Sequence, residues 1–353
     1  MIPIGAQADA SFYGRVNNAV QFQDTGDSTT DLVSVGSRLG FKGESDLGNG
    51  MKAHGHYEFA TTTDNAAGGV TATRIATAGL SGGFGRIDVG NQWTAYYNAT
   101  GVHMDPTWTI GPISGSTPFR SPNTIKYSNS VGPLTLEADL RLSDSAENLN
   151  ADGVPVLSGH GGGVGISIAA TEALSFAAAF DLDDQTDLVV TPMAAAMPGL
   201  NEAMDAVVVK EATAAVNGLE HNRVGLSGKV SLGQFWASLA WANHEAENGM
   251  GATQADKEFV AAYVGMSMTD QISGWVGFAQ ADVTTNKGEE VKAGHGKEPS
   301  KVMAGLYYNL GGGLQLWYEG ASEDHDTDDK PATATAGVTT ETVTHLVGIR
   351  YDF

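Results

Sequence analysis

From Ser37 to Phe59 the chain reads "SRLGFKGESDLGNGMKAHGHYEF", two alternating runs joined at a turn. Leu39 and Phe41 share one side of the first run, with Arg38, Gly40 and Lys42 on the other. Beyond "DLGNG", Met51, Ala53, Gly55, Tyr57 and Phe59 share one face, and Lys52, His54, His56 and Glu58 share the opposite one. Side chains of an extended strand alternate between two faces, so this stretch predicts a hairpin with one apolar and one polar face. The same rhythm recurs in "SFYGRVNNAVQF", "GPLTLEADLRL", "QFWASLAWA", "QISGWVGFAQ" and "THLVGIRYDF". About sixteen segments of roughly ten residues follow one another, short turns alternating with longer loops, which is the pattern of an up-and-down meander.

The direction of the apolar face decides the fold. A water-soluble sandwich fills its inner faces with large aliphatic side chains. Here the apolar faces carry many Ala, Gly and Val residues, and the polar faces carry charge in mid-strand: Arg15, Arg38, Glu58, Arg74, Glu137, Asp139 and Glu319. A closed barrel with lipid outside and a polar lumen inside accounts for both faces. Ten tilted residues cross the hydrocarbon layer, whereas no run of 18 apolar residues exists to do so as a helix. The rival reading from these residues is a soluble β-sandwich or surface adhesin whose long loops carry the function.

Composition narrows the chemistry. The 353 residues include no cysteine, which removes disulfides, thiolate metal sites and thiol nucleophiles. With 41 acidic residues against 19 basic ones the formal net charge is −22, which excludes whole-protein attraction to nucleic acid. The acidic tracts "DLDDQTD" (Asp181–Asp187), "NHEAENG" and "SEDHDTDDK" are expected in solvated loops, the last with an option on a loop-bound divalent cation but without the spacing of an EF-hand. "GHGGGVG" (Gly159–Gly165) lacks the Lys-Ser/Thr and helix of a phosphate loop and reads as a flexible loop. His54 and His56 have no third ligand at fixed spacing, so no resident metal or cofactor is expected. No nucleophile elbow or Ser/His/Asp set stands out, and no catalysis is expected. The apolar spacing over Pro198–Val216 predicts a helix in a long loop, at about residues 185–220.

At this point the chain resembles the general, non-specific porins of Gram-negative outer membranes. "SFYGRVNNAV" is similar to their first strand, "SRLGFKGESDLGNGMKA" to the second and third, "TRIATAGLSGGFGRIDVGNQW" to the fourth and fifth, "FRSPNTIKYSN" to the start of the sixth, and "GIRYDF" to the last. The resemblance implies one all-β domain over residues 1–353, a transmembrane antiparallel barrel of sixteen strands in the outer membrane, assembled as a homotrimer among lipid and lipopolysaccharide. It implies a constriction loop at about residues 96–122, folded inward, with basic residues on the facing wall. The matching positions are Arg15, Arg38, Arg74 and Arg120, with Lys126 as a fifth candidate and Asp105 as the carboxylate the loop offers. Two departures stand out: the loop reads "MDPTWTIGP" where relatives carry more acid, and Asn91 stands where many porins place arginine. The simpler alternative is that these arginines only pair with lumen acids such as Glu58 or Glu137.

The expected function is passive diffusion of small hydrophilic solutes and ions, with a weak cation preference because acid concentrates at the mouth. A substrate-selective channel for sugar, phosphate or peptide is the neighbouring possibility. Trp236, Trp275 and Trp317, on polar faces, would be the aromatic track of a sugar channel.

Overall fold

The computed structural model describes residues 9–64, 69–111, 120–142, 148–149, 155–189, 215–248, 253–285, 298–324 and 341–353. Its strands are β1 (Asp9–Asp24), β2 in two pieces (Ser28–Ser34 and Arg38–Gly48), β3 (Met51–Thr61), β4 (Val70–Gly82), β5 (Gly85–Trp93), β6 (Arg120–Val131) and β7 (Leu134–Arg141, with Asn148–Leu149 beyond it). There follow β8 (Pro155–Ala169), β9 (Leu174–Val189), β10 (Ala215–Leu232), β11 (Phe235–Asn248), β12 (Thr253–Ser267), β13 (Ile272–Thr285), β14 (Ser300–Gly311), β15 (Leu314–Asp324) and β16 (Glu341–Asp352). Each strand pairs antiparallel with the next. β1 pairs back onto β16 from Arg15↔Asp352 to Asp24↔Val343, closing a barrel of 16 strands. Among the described residues, closure leaves no open edge strand, the condition for a sheet to sit in lipid.

The faces divide as the alternation requires. On β16, Val347 and Ile349 are 55% and 49% exposed while Leu346 between the same neighbours is 4% exposed. Phe12, Val16, Phe41 and Tyr57 are likewise exposed, and Asn17, Glu58, Asp139, Asp181 and Glu319 are buried on the opposite side. An apolar exterior is tolerable only against acyl chains, so the polar side is the interior.

The "DLGNG" turn joins β2 to β3 with Asn49 at φ 54° and Gly50 at φ 74°, the paired positive angles that twist-matched two-residue hairpins demand. β2 is broken between Ser34 and Arg38, where Gly36 takes φ 63°. Ser37, in the break, accepts the Asn17 amide at 3.0 Å, and Arg38 resumes the strand directly opposite Arg15.

Three sequence expectations change. The "GHGGGVG" tract is not a loop but part of β8, for a reason given below. "DLDDQTD" lies within β9 and "NHEAEN" within β11. Asp181 is therefore a buried wall residue, held by Arg141 of β7 and Arg223 of β10, rather than a loop acid. Of the region expected to hold a helix, 185–189 and 215–220 are strand, and the rest lies outside the described residues, as does most of "SEDHDTDDK".

Candidate functional site

After β5 the chain leaves the wall at Thr94 and turns through the helical stretch Tyr97–Gly101 and Val102–Met104. The Thr94 hydroxyl accepts the Tyr97 amide at 3.1 Å and fixes the start of the turn. The wall partners of this segment among the described residues lie on the inner face. Asp139 Oδ2 accepts the Ala95 amide at 2.6 Å, Asn98 donates to Glu137 at 2.8 Å, and His103 Nδ1 lies 2.7 Å from the Ser227 hydroxyl. The seat is made by missing side chains. A Cβ on Gly165 would stand 2.6 Å from the Ala95 carbonyl and 2.8 Å from Ala99 Cβ, and one on Gly225 would stand 2.7 Å from the Tyr96 hydroxyl. The glycine-rich tract of β8 is strand because its inward positions must be bare: at Gly163 a Cβ would meet the Asp181 carboxylate at 2.9 Å.

Beneath the seat lies a buried ionic quartet. Arg141 donates to Asp181 Oδ2 at 2.6 Å, Arg223 to Asp181 Oδ1 at 2.8 Å, and Arg141 Nε lies 3.7 Å from Asp139. Farther along, the segment ends on a clamp. Glu319, fully buried, accepts the amides of Trp108 (2.7 Å), Thr109 (3.0 Å) and Ile110 (3.4 Å), the Thr109 hydroxyl (2.6 Å) and the Tyr307 hydroxyl (2.6 Å). Lys301 adds a bond from Nζ to the Ile110 carbonyl at 3.1 Å. Residues 94–111 thus span from β7–β11 to β14 and β15 across the interior. The stretch expected as loop through residue 122 ends earlier, since β6 begins at Arg120.

Facing this segment stand the arginines. Arg74 Nε meets Glu58 Oε1 at 2.7 Å, and Arg38 reaches the same oxygen at 3.6 Å. The Tyr13 hydroxyl donates to the other oxygen at 2.8 Å. Arg15 pairs with Asp352 at 2.6 Å, and Arg350 holds the second oxygen of that carboxylate at 2.6 Å. Arg38 lies within reach of the charges of Arg15, Arg74 and Arg350, and Arg120 within reach of Arg74. Arg120 itself stacks over Trp93 at 4.7 Å, which in turn stacks on Tyr97. The structure therefore gathers Arg15, Arg38, Arg74 and Arg120 on one side. It adds Arg350, which its place on the polar face of "GIRYDF" made visible in the sequence. Four of the five guanidiniums pair with two carboxylates, Glu58 and Asp352, and Arg120 does not, so the side keeps a positive excess.

Lys126 stands apart from that group. Its Nζ donates to the Trp93 carbonyl at 3.0 Å and its register partner is Asp139, so it braces the root of the inward segment. Asp105, on the segment, accepts the Thr107 hydroxyl at 3.0 Å and is hydrogen-bonded to Tyr97. Burial pushes its carboxyl above the ordinary aspartate value. Tyr97 feels Asp105 together with Arg120 and Arg74, so one phenol lies between the two signs of charge.

Two of the three candidate track tryptophans are covered. Trp275 and Trp317 are 6% and 3% exposed, lying against Gly305 and Gly348 and hydrogen-bonded to Tyr307 and Asn17. Rings so buried offer no face to a passing sugar. Among the described residues no group of three or more His, Asp or Glu side chains could hold a metal ion.

A family model described as Gram-negative porin matches residues 3–330. The chain is 37% identical over 102 residues to the major outer membrane protein P.IB of Neisseria meningitidis, 25% of this chain and 30% of that protein. The match thus spans less than a third of that relative's length. Among solved structures it is similar to the anion-selective porin from Comamonas acidovorans (TM-score 0.74, 18% identity, 98% of this chain and 100% of that one). It is also similar to the trimer form of OmpT of Vibrio cholerae (TM-score 0.67, 14% identity, 98% and 99%).

Proposed function

The chain belongs to the Gram-negative porin family, and from that premise we propose that it forms a water-filled channel in the outer membrane for passive diffusion of small hydrophilic solutes and ions. The observation that carries the reading is the juxtaposition inside the barrel of the Arg15–Arg38–Arg74–Arg120 wall with the segment bearing Asp105. That segment, residues 94–111, is the constriction. Charges of opposite sign across a wet gap produce a transverse field, which orients dipolar solutes and penalises bulky apolar ones whose hydration must rearrange against it. Arginine suits the wall because it stays charged beside its neighbours. The pairing of Glu58 and Asp352 with four guanidiniums limits like-charge repulsion without cancelling it.

The selectivity proposed is a weak cation preference, set by the acid-rich chain as a whole and opposed by the arginine wall. The assembly is a homotrimer, a reading supported by the trimer form of the V. cholerae OmpT. Its surroundings are outer-membrane lipid and lipopolysaccharide. Single-channel recording in a planar bilayer tests all of this: steps in threes, with a reversal potential in a salt gradient on the cation side, are expected. A reversal potential favouring chloride overturns the cation preference, and a folded protein without conductance overturns the channel.

A further inference from the structure

Between the inward segment and the wall, on the loop-bearing side of the Glu319 clamp, lies a cavity of about 520 Å³. Small-molecule sites have volumes on the order of 300–1,000 Å³, so it is large enough to hold a solute rather than a single water. Register sorts its lining into levels. Leu346 is opposite Glu319 of the clamp, Thr344 is opposite Ala321, and Thr342 is opposite Glu323. The deep level is mostly apolar: Leu346, whose register partner is Gln21, joins Val33, Val35 and Ile110 in one packed cluster with Ala19 and Trp317. The outer level is polar and charged: Gln23 and Thr344 face each other, and Lys301 Nζ lies 3.1 Å from Glu323 Oε2 beside Thr342. Lys257 also lies within reach of the Glu323 charge.

We propose that this cavity is a solute-binding site for small zwitterions carrying an apolar side chain, the class of an aliphatic α-amino acid. The proposal rests on the channel reading and names a solute class for it. A zwitterion lies antiparallel to the Lys301–Glu323 pair, its carboxylate toward the ammonium and its ammonium toward the carboxylate. No charge in the partly desolvated site then loses a partner. A singly charged solute would engage one member of the pair and stand close to the like charge of the other, which is costly away from bulk water. The side chain drops onto Val33, Val35, Ile110 and Leu346 and removes apolar surface from water. A sugar is not the match, because the nearest aromatic ring, Trp108, is already stacked by Tyr307 at 4.4 Å and by Arg350 at 4.3 Å.

The test is calorimetric titration of the detergent-solubilised full chain with L-leucine, glycine, leucinamide and glucose, in parallel with bilayer recording. Leucine is expected to bind saturably at least about tenfold more tightly than glycine, a difference of about 1.4 kcal/mol. Leucinamide, which lacks the carboxylate, and glucose should bind more weakly than leucine. Val33→Trp, which fills the apolar floor, should remove the preference for leucine over glycine. Equal heats for leucine and glycine, or an unchanged preference in Val33→Trp, overturn the site. Because titration needs no conduction, absent conductance steps overturn the channel reading while the heats still decide the site.

Discussion

Arg38 and Arg74 converge on one carboxylate, Glu58, and that convergence sets what single substitutions should do. Removing a unit charge about 10 Å from a permeating ion in water changes its energy by about 0.4 kcal/mol, roughly a twofold change in local concentration. Arg38→Ala and Arg74→Ala are each expected to move the permeability ratio toward cations by about that factor, and Glu58→Gln toward anions. Reversal potentials in a salt gradient measure all three, and a shift of the opposite sign refutes the placement of these charges at the narrow part. Asp105 adds a pH dependence. Burial raises its carboxyl above the usual value, so it takes up a proton at a higher pH than a solvated aspartate and the negative charge disappears sooner on acidification. Cation preference should therefore fall between neutral pH and about pH 4, and the fall should be smaller in Asp105→Asn, whose charge is already absent. Arg15, Arg38 and Arg74 were readable from the sequence because alternation and a family resemblance both pointed at them, while Arg120 came from the resemblance alone. The partners were not. Glu58 was visible as a polar-face residue, but nothing local says that it takes Arg38 and Arg74 while Asp352 takes Arg15 and Arg350.

The inward segment is an element built by what its neighbours lack. Gly165 and Gly225 leave room for Ala95, Tyr96 and Ala99, and no alternation rule explains a glycine at an inward strand position. Their meaning appears only when a second piece of chain lies on them, which is why "GHGGGVG" read as a loop and proved to be strand. Gly165→Val should overpack the seat and destabilise the barrel by about 1–3 kcal/mol, read as a lower midpoint of thermal unfolding. An unchanged midpoint would mean the segment yields instead, and a lower conductance would then show it. The other end of the segment depends on Glu319. Glu319→Leu removes the acceptor for five donors, and each buried donor left unsatisfied costs about 1–3 kcal/mol. The segment should then detach, seen as a noisier open-channel current and faster proteolysis near Trp108, with the barrel strands retained. A quiet current of unchanged amplitude from the variant would refute the clamp.

For the whole molecule, a barrel with exposed Phe, Leu and Val around its girth should require detergent for extraction and should run as a heat-sensitive compact species on electrophoresis. Cross-linking in detergent is expected to stop at three copies, and a monomer under those conditions would refute the proposed assembly. The sequence by itself determined the strand rhythm, the side taken by the residues of its clearly alternating segments and the outward direction of the apolar face, because those depend on a two-residue period and on the cost of placing charge in lipid. It also placed Arg15, Arg38 and Arg74 on the polar side. Only the tertiary structure decided which strands meet at closure, that Asp181 of an acidic tract is a buried partner of Arg141 and Arg223, and that residues 94–111 cross the interior from Asp139 to Glu319. Those are contacts between residues tens to hundreds of positions apart. Their energies come from burial and pairing across the lumen, and a local pattern carries no record of which distant group will complete them.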